Sequence, residues 1–101
     1  MESPDVSYTR SGDVAVAYQV FGAGPTDLVF LPFQFNLWWL WRYPHFPPFM
    51  KRLANSCRIV LVNTRGAGLA DRPRGVTVEA RMEDVLAVLD SLKIRRCTVL
   101  R

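Results

Sequence analysis

Imidazole and thiol are scarce in this chain. His45 is the only histidine among 101 residues, and Cys57 and Cys97 are the only cysteines. No two metal-ligand residues stand at a zinc-binding spacing, and the expectation is neither metal nor cofactor. Each cysteine opens a different predicted strand. If those strands flank a central one, two strand spacings separate the thiols by roughly 9–10 Å, too far for a disulfide. Core cysteines in a reducing compartment are the simpler expectation. Long hydrophobic runs are lacking as well. Leu28 to Trp41 is the most apolar stretch, but Pro32, Gln34 and Asn36 interrupt it and it is too short to span a bilayer. Met1-Glu2-Ser3-Pro4-Asp5 is polar and acidic, unlike a signal peptide, so a cytoplasmic chain without membrane contact is expected.

A concentrated charge of one sign is also absent. Thirteen basic residues face nine acidic ones for a net charge of +4, and the arginines are spread from Arg10 to Arg101. The densest cluster, Lys93 with Arg95 and Arg96, sits where a helix should end, and cations there favour the helix dipole. Basic residues interleaved with stacking aromatics are not evident, which argues against nucleic acid as a partner. There is no internal repeat and no low-complexity tract. Half of the residues are hydrophobic, enough for a core. The length suits one small domain and is short for a complete doubly wound α/β enzyme.

What is present reads as alternating strands and helices. Ser7 to Arg10 and Val14 to Phe21 are extended runs joined by the turn Ser11-Gly12-Asp13. In the second run Val14, Val16, Tyr18 and Val20 share one face, and Ala15, Ala17, Gln19 and Phe21 the other; a hairpin at a sheet edge is expected. Leu28 to Leu31, Ile59 to Val62 and Cys97 to Leu100 are continuous apolar runs of the kind found in parallel strands covered on both faces. Phe46 to Asn55 can form a helix that tolerates Pro47 and Pro48 in its first turn. Thr77 is a plausible N-cap for a second helix, in which Val78, Met82, Val85, Leu86, Leu89 and Leu92 recur at helical spacing. Hairpin, strand, helix, strand, helix, strand argues for an α/β sheet with right-handed crossovers.

The richest local motif is Asn63-Thr64-Arg65-Gly66-Ala67-Gly68-Leu69-Ala70-Asp71-Arg72-Pro73. Two glycines one residue apart imply a tight backbone path. A dinucleotide fingerprint would place a third glycine where Asp71 stands and open directly into a helix, whereas Pro73 and Gly75 delay any helix. No G-K-[ST] follows, so a phosphate-binding loop does not fit either.

This segment resembles the D-x-R-G-x-G-x-S-x-x-P motif that follows the fourth strand of α/β-hydrolases. Arg65, Gly66, Gly68 and Pro73 match, while Asn63 replaces the Asp and Ala70 the Ser. The likeness extends over residues 7–101. Ser11 to Val20 resembles the family's first hairpin, Asp27 to Pro32 its third strand, and Arg81 to Val85 with Val88 to Asp90 the helix before the nucleophile strand. The chain is most similar to hydrolase-like domains joined, in some bacterial proteins, to class III adenylate or guanylate cyclases or to helix-turn-helix regulators.

The resemblance implies a truncated α/β-hydrolase with an N-terminal hairpin, three parallel strands and two helices. Residues 1–6 would be a disordered start, and residues 7–101 an incomplete domain ending before the nucleophile elbow. The family's reaction is acyl transfer to water through a serine ester. Ser3, Ser7, Ser11, Ser56 and Ser91 all lack the glycine-flanked elbow, and His45 precedes the nucleophile strand whereas the family's histidine comes last. No catalytic residue is therefore assigned, and the chain alone is expected to be inactive. Arg65, Gly66, Gly68, Asp71 and Pro73 make up the structural family motif.

In family members the loop after the third strand supplies one oxyanion-hole N–H, and such donors are worth roughly 3–4 kcal/mol of barrier. Here the loop reads Pro32-Phe33-Gln34-Phe35-Asn36 without the usual glycine, leaving the backbones of Phe33 and Gln34 as candidates. Trp38, Trp39 and Trp41 read either as an apolar pocket wall or as a segment packed over the sheet. The rival to an incomplete hydrolase is a non-catalytic ligand-binding or interaction module of a cyclase-linked signalling protein. The expected partners are a missing C-terminal half or a second copy meeting the exposed sheet edge.

Overall fold

Gly12 takes a positive φ of 61° at the first of two loop positions, as a type II′ hairpin requires, and folds β1 (Ser7–Ser11) back on β2 (Val14–Gly22). The computed structural model describes residues 3–32, 36–65 and 77–100. β3 (Thr26–Phe30) leads through α1 (Leu37–Leu40) and α2 (Phe46–Ala54) to β4 (Cys57–Asn63); α3 (Val78–Ser91) then precedes β5 (Thr98–Leu100). The five strands form one sheet in the order β1-β2-β4-β3-β5. β1 and β2 run antiparallel to their neighbours, whereas β3 pairs in parallel with both β4 and β5.

The period of two in β2 sends its side chains into two different cores. Val14 and Val16 join Val29, Val60, Val62, Val85, Val88 and Ile94 beneath α3. Ala17 and Phe21 join Leu37, Leu40, Trp41, Met50, Ile59 and Leu61 beneath α1 and α2. The hairpin sits at the sheet edge as expected: β1 forms that edge, and β2, next inward, is covered on both faces. At the end of β2, Gly22 has φ 85°, and a Cβ there would lie 2.5 Å from the Cys57 carbonyl oxygen. Glycine lets the β2–β3 turn sit directly on the start of β4.

α2 follows His45 at its N-cap and carries Pro47 and Pro48 in its first turn, where no backbone N–H is missed. α1 was not legible as a helix: its four residues depend on Asn36, whose Oδ1 accepts from the Trp38 N–H at 2.8 Å. α3 starts at Thr77, whose Oγ1 accepts from the Ala80 N–H at 3.1 Å. It ends in a Schellman turn: Lys93 takes φ 59°, the Ile94 N–H reaches the Leu89 carbonyl at 2.9 Å, and Ile94 packs into the core.

The rotation of α3 corrects the sequence reading. Val85 and Val88 are buried as expected, with Leu89 and Leu92 packed against their cluster, but Val78, Met82 and Leu86 are exposed. The residue drawn inward instead is Asp84, which is fully buried. Its pairing with Arg65 turns the helix so that the apolar stripe is only partly covered.

Cys57 and Cys97 are free, and β3 lies between their strands as the spacing required. Residues 3–6 form neither strand nor helix, yet Gln19 Nε2 donates to the Pro4 carbonyl at 2.7 Å and ties the segment to β2. Among the described residues, no helix is long and apolar enough to cross a membrane.

Candidate functional site

The β3–β4 connection passes over one sheet face through α1 and α2, and the β4–β5 connection over the other through α3. Connections that part in this way open a crevice outside the carboxyl ends of the strands. β3 ends at that crevice, and the start of α1 is pinned by Asn63, the buried last residue of β4, whose Oδ1 accepts from the Leu37 N–H at 3.2 Å. The Asn36 carbonyl accepts from the Trp39 and Leu40 N–H groups at 3.0 and 3.1 Å. Asparagine, where the family motif has Asp, thus links two carboxyl-end segments without adding a charge. The oxyanion candidates Phe33 and Gln34 lie outside the described residues.

The three tryptophans separate. Trp41 is buried and donates from Nε1 to Gln19 Oε1 at 2.9 Å. Its ring meets those of Phe21 and Phe46 edge-on, with centroids 5.3 and 5.2 Å away. Trp38 and Trp39 are exposed, and the Arg42 guanidinium lies 3.6 Å from the centre of the Trp38 ring, a cation–π contact. The structure does not bring the three together around one cavity.

Arg65, the last described residue after β4, is held through both its backbone and its side chain. Its backbone N–H donates to Asp84 Oδ2 at 2.7 Å, and its guanidinium meets the same carboxylate at 2.7 and 3.1 Å. A further bond of 3.3 Å reaches Ser11 Oγ at the hairpin. Burial pushes the Asp84 carboxyl up, but bonds from Arg65 and Ser11 outweigh it and hold the group below its ordinary value. Bonding to the Asp84 carboxylate raises the Arg65 guanidinium in turn. The pair clamps three segments: the hairpin, the end of β4 and α3. Gly66, Gly68, Asp71 and Pro73 lie outside the described residues.

Next to this clamp a groove of about 150 Å³ opens, lined by Leu31, Val62, Thr64, Val78, Arg81, Met82 and Val85. Its floor comes from the ends of β3 and β4, and its wall from the first two turns of α3. A second, shallower depression of about 220 Å³ lies at the other end of the sheet, between Asp27, Arg96 and Cys97. There Arg58 pairs with Asp27 at 2.6 Å. Burial, and then the Asp27 charge, raise the Cys97 thiol, which disfavours a reactive thiolate. His45 is exposed at the start of α2. Among the described residues, no three His, Cys, Asp or Glu side chains are grouped to hold a metal ion.

Sequence reasoning missed three residues here: Asp84, Gln19 and the anchoring role of Asn63. A carboxylate at Asp84 next to Val85 on the inward side of an amphipathic helix, with an unpaired motif arginine upstream, was the available signal. Gln19, alone among apolar neighbours on its face of β2, was another.

Neither models of protein families nor curated proteins match the chain. Solved structures do. An N-acyl homoserine lactone degrading enzyme, Est816, superposes with a TM-score of 0.73 at 29% identity, over 92% of this chain and 34% of its own. The enol-lactonase of Burkholderia xenovorans LB400 gives 0.74 at 26% identity, over 92% and 35%. An epoxide hydrolase of Vigna radiata gives 0.70 at 22% identity, over 98% and 32%. The chain therefore has the α/β-hydrolase fold, and it spans about a third of the length of these structures.

Proposed function

We propose that the chain is the N-terminal part of an α/β-hydrolase domain whose whole acts on an ester or lactone carbonyl. Its share is to present the loop after β3 at the carboxyl end of the sheet. The observation that carries this reading is the anchoring of the start of α1, directly after that loop, by Asn63 and Asn36, beside the crevice formed by the sheet order. Two of the similar structures are a lactone-degrading enzyme and an enol-lactonase, which supports a carbonyl substrate. Among the described residues, His45 is exposed at the start of α2, and burial pushes the Cys97 thiol up, against a thiolate. On this reading the chain alone is expected not to turn over esters. The finer likeness to hydrolase-like domains of cyclase-linked proteins rests on the sequence motifs and belongs to the same proposal.

A chimera tests this reading. Residues 7–100 replace the matched third of the lactone-degrading Est816, and hydrolysis of a p-nitrophenyl ester and of an N-acyl homoserine lactone is followed. The expected result is no turnover by the 101-residue chain and measurable turnover by a cooperatively melting chimera. Turnover by the chain alone, or a folded chimera without activity, would overturn it.

A second reading, a ligand-binding module without catalysis, is favoured by Phe33-Gln34 standing where the family has glycine. It is also favoured by the apolar groove at the carboxyl end. Saturable binding of the intact lactone by the chain, together with an inactive folded chimera, selects that reading.

A further inference from the structure

Gln19 shares a face of β2 with Ala17 and Phe21 and is buried, yet both ends of its side-chain amide are engaged. Oε1 accepts from the Trp41 Nε1–H at 2.9 Å. Nε2 donates to the Pro4 carbonyl at 2.7 Å and to Ser3 Oγ at 3.3 Å. An indole N–H can only donate and a proline carbonyl can only accept, so the two partners fix the amide in one orientation. An apolar side chain of the same size would leave both partners unpaired. Pro4 is half-buried, whereas Ser3, Asp5 and Val6 are exposed, so Pro4 is where the segment before β1 meets the core.

Trp41 is the C-cap of α1, and its ring stands edge-on to Phe21 of β2 and Phe46 of α2. α1 has four residues, too few to hold a helix by propagation. Its start is held by Asn63 through the Leu37 N–H, and its end by Gln19 through Trp41. Two buried amide side chains, one on β4 and one on β2, therefore fix the helix that directly follows the loop after β3. These groups lie on β2, β4, α1 and residues 3–6, away from β5 at the opposite edge of the sheet. Among the described residues, no buried side-chain polar atom lacks a partner, so this arrangement is already complete.

We propose that Gln19 is a positioning residue that makes the placement of α1 depend on residues 3–6. While the Pro4 carbonyl holds Nε2, Oε1 stays aimed at Trp41 and α1 stays seated. Once the segment leaves, the amide turns toward water and releases the indole. The segment before β1 thus acts as a strap on the helix beside the carboxyl-end crevice. The effect on α1 is independent of hydrolysis; any effect on turnover rests on the hydrolase reading above.

The test follows hydrogen exchange at single N–H groups by NMR, in the full chain and in a chain lacking residues 1–6. In the full chain the Trp41 indole should exchange slowly, against fast exchange at the exposed Trp38 and Trp39 indoles. Truncation should speed the Trp41 indole and the Leu37 and Leu40 amides about tenfold or more, leaving the Val60 amide in the middle of the sheet unchanged. Gln19→Met should do the same in the full chain. Should that variant not fold by circular dichroism, the truncation decides alone. A Trp41 indole that exchanges equally slowly without residues 1–6 would overturn the proposal. So would Leu37 and Leu40 amides left untouched when that indole is released. In the Est816 chimera, starting this chain's part at residue 3 instead of 7 should raise kcat about tenfold with little change in KM, and Gln19→Met should cancel the gain. Equal kcat in an active chimera overturns the link to turnover. A folded chimera inactive in both forms overturns the hydrolase reading instead, and the exchange rates decide the dependence of α1.

Discussion

Asp84 is fully buried and meets both the backbone and the side chain of Arg65, so its loss is felt in three segments at once. Removing one partner of a buried ion pair costs about 3–5 kcal/mol, because the other is left uncompensated. Arg65 retains some solvent contact, and Asp84→Asn should therefore fall near the lower end, about 3 kcal/mol by urea denaturation. The folded carboxyl lies below its unfolded value of about 3.9. Its stabilisation is therefore complete above that value and is lost as the pH falls through the lower folded one. Acid unfolding of the wild type should consequently be steeper below about pH 4 than that of Asp84→Asn. Gly22→Ala adds a Cβ 2.5 Å from the Cys57 carbonyl at a positive φ. It should cost about 2–5 kcal/mol, the sum of left-handed backbone strain and overpacking. Residues of this kind were the least legible in the sequence. A buried Asp, a lone Gln on an apolar face and an Asn in a motif position are recognised by their partners, and the Arg65–Asp84 pairing spans 19 positions.

At the scale of elements, the strands were readable because their apolar runs and alternation reflect which faces are covered. The division of β2 between two cores follows directly from its period of two. The existence of α2 and α3 was readable from the prolines at the start of one and from the Thr77 cap and apolar spacing of the other. The rotation of α3 was not, because six apolar positions form a stripe wider than the sheet covers and the Arg65–Asp84 pair decides which part faces inward. α1 was missed because four residues carry no period; a side-chain cap and the Asn63 anchor hold it. The end of α3 offers a clean check. Lys93 adopts φ 59°, where an L-residue costs about 1–2 kcal/mol and glycine does not. Lys93→Gly should stabilise the chain by about 1 kcal/mol in thermal or chemical unfolding, since a C′ glycine fits this turn. Destabilisation would mean that the lysine side chain makes a contact of greater worth.

For the whole molecule, the sheet order β1-β2-β4-β3-β5 carries the account. It places α1 and α2 on one face and α3 on the other, and it gathers the end of β3, the Asn63 anchor and the groove beside α3 at one end. The resemblance to α/β-hydrolases already implied this arrangement, since motif likeness was spread along residues 7–101 and was not concentrated in one site. The candidate site was legible only in outline, because the crevice arises from the parting of two connections and not from any local motif. The measurement that tests the account most directly is a set of backbone NOEs in the isolated chain. The expected pattern has Val60 amide and Hα contacts to Val20 on one side and Val29 on the other, with Val29 also meeting Val99, following the strand register. Contacts between β4 and β5 in place of those between β3 and β5 would contradict the sheet order, and with it the site at the carboxyl end.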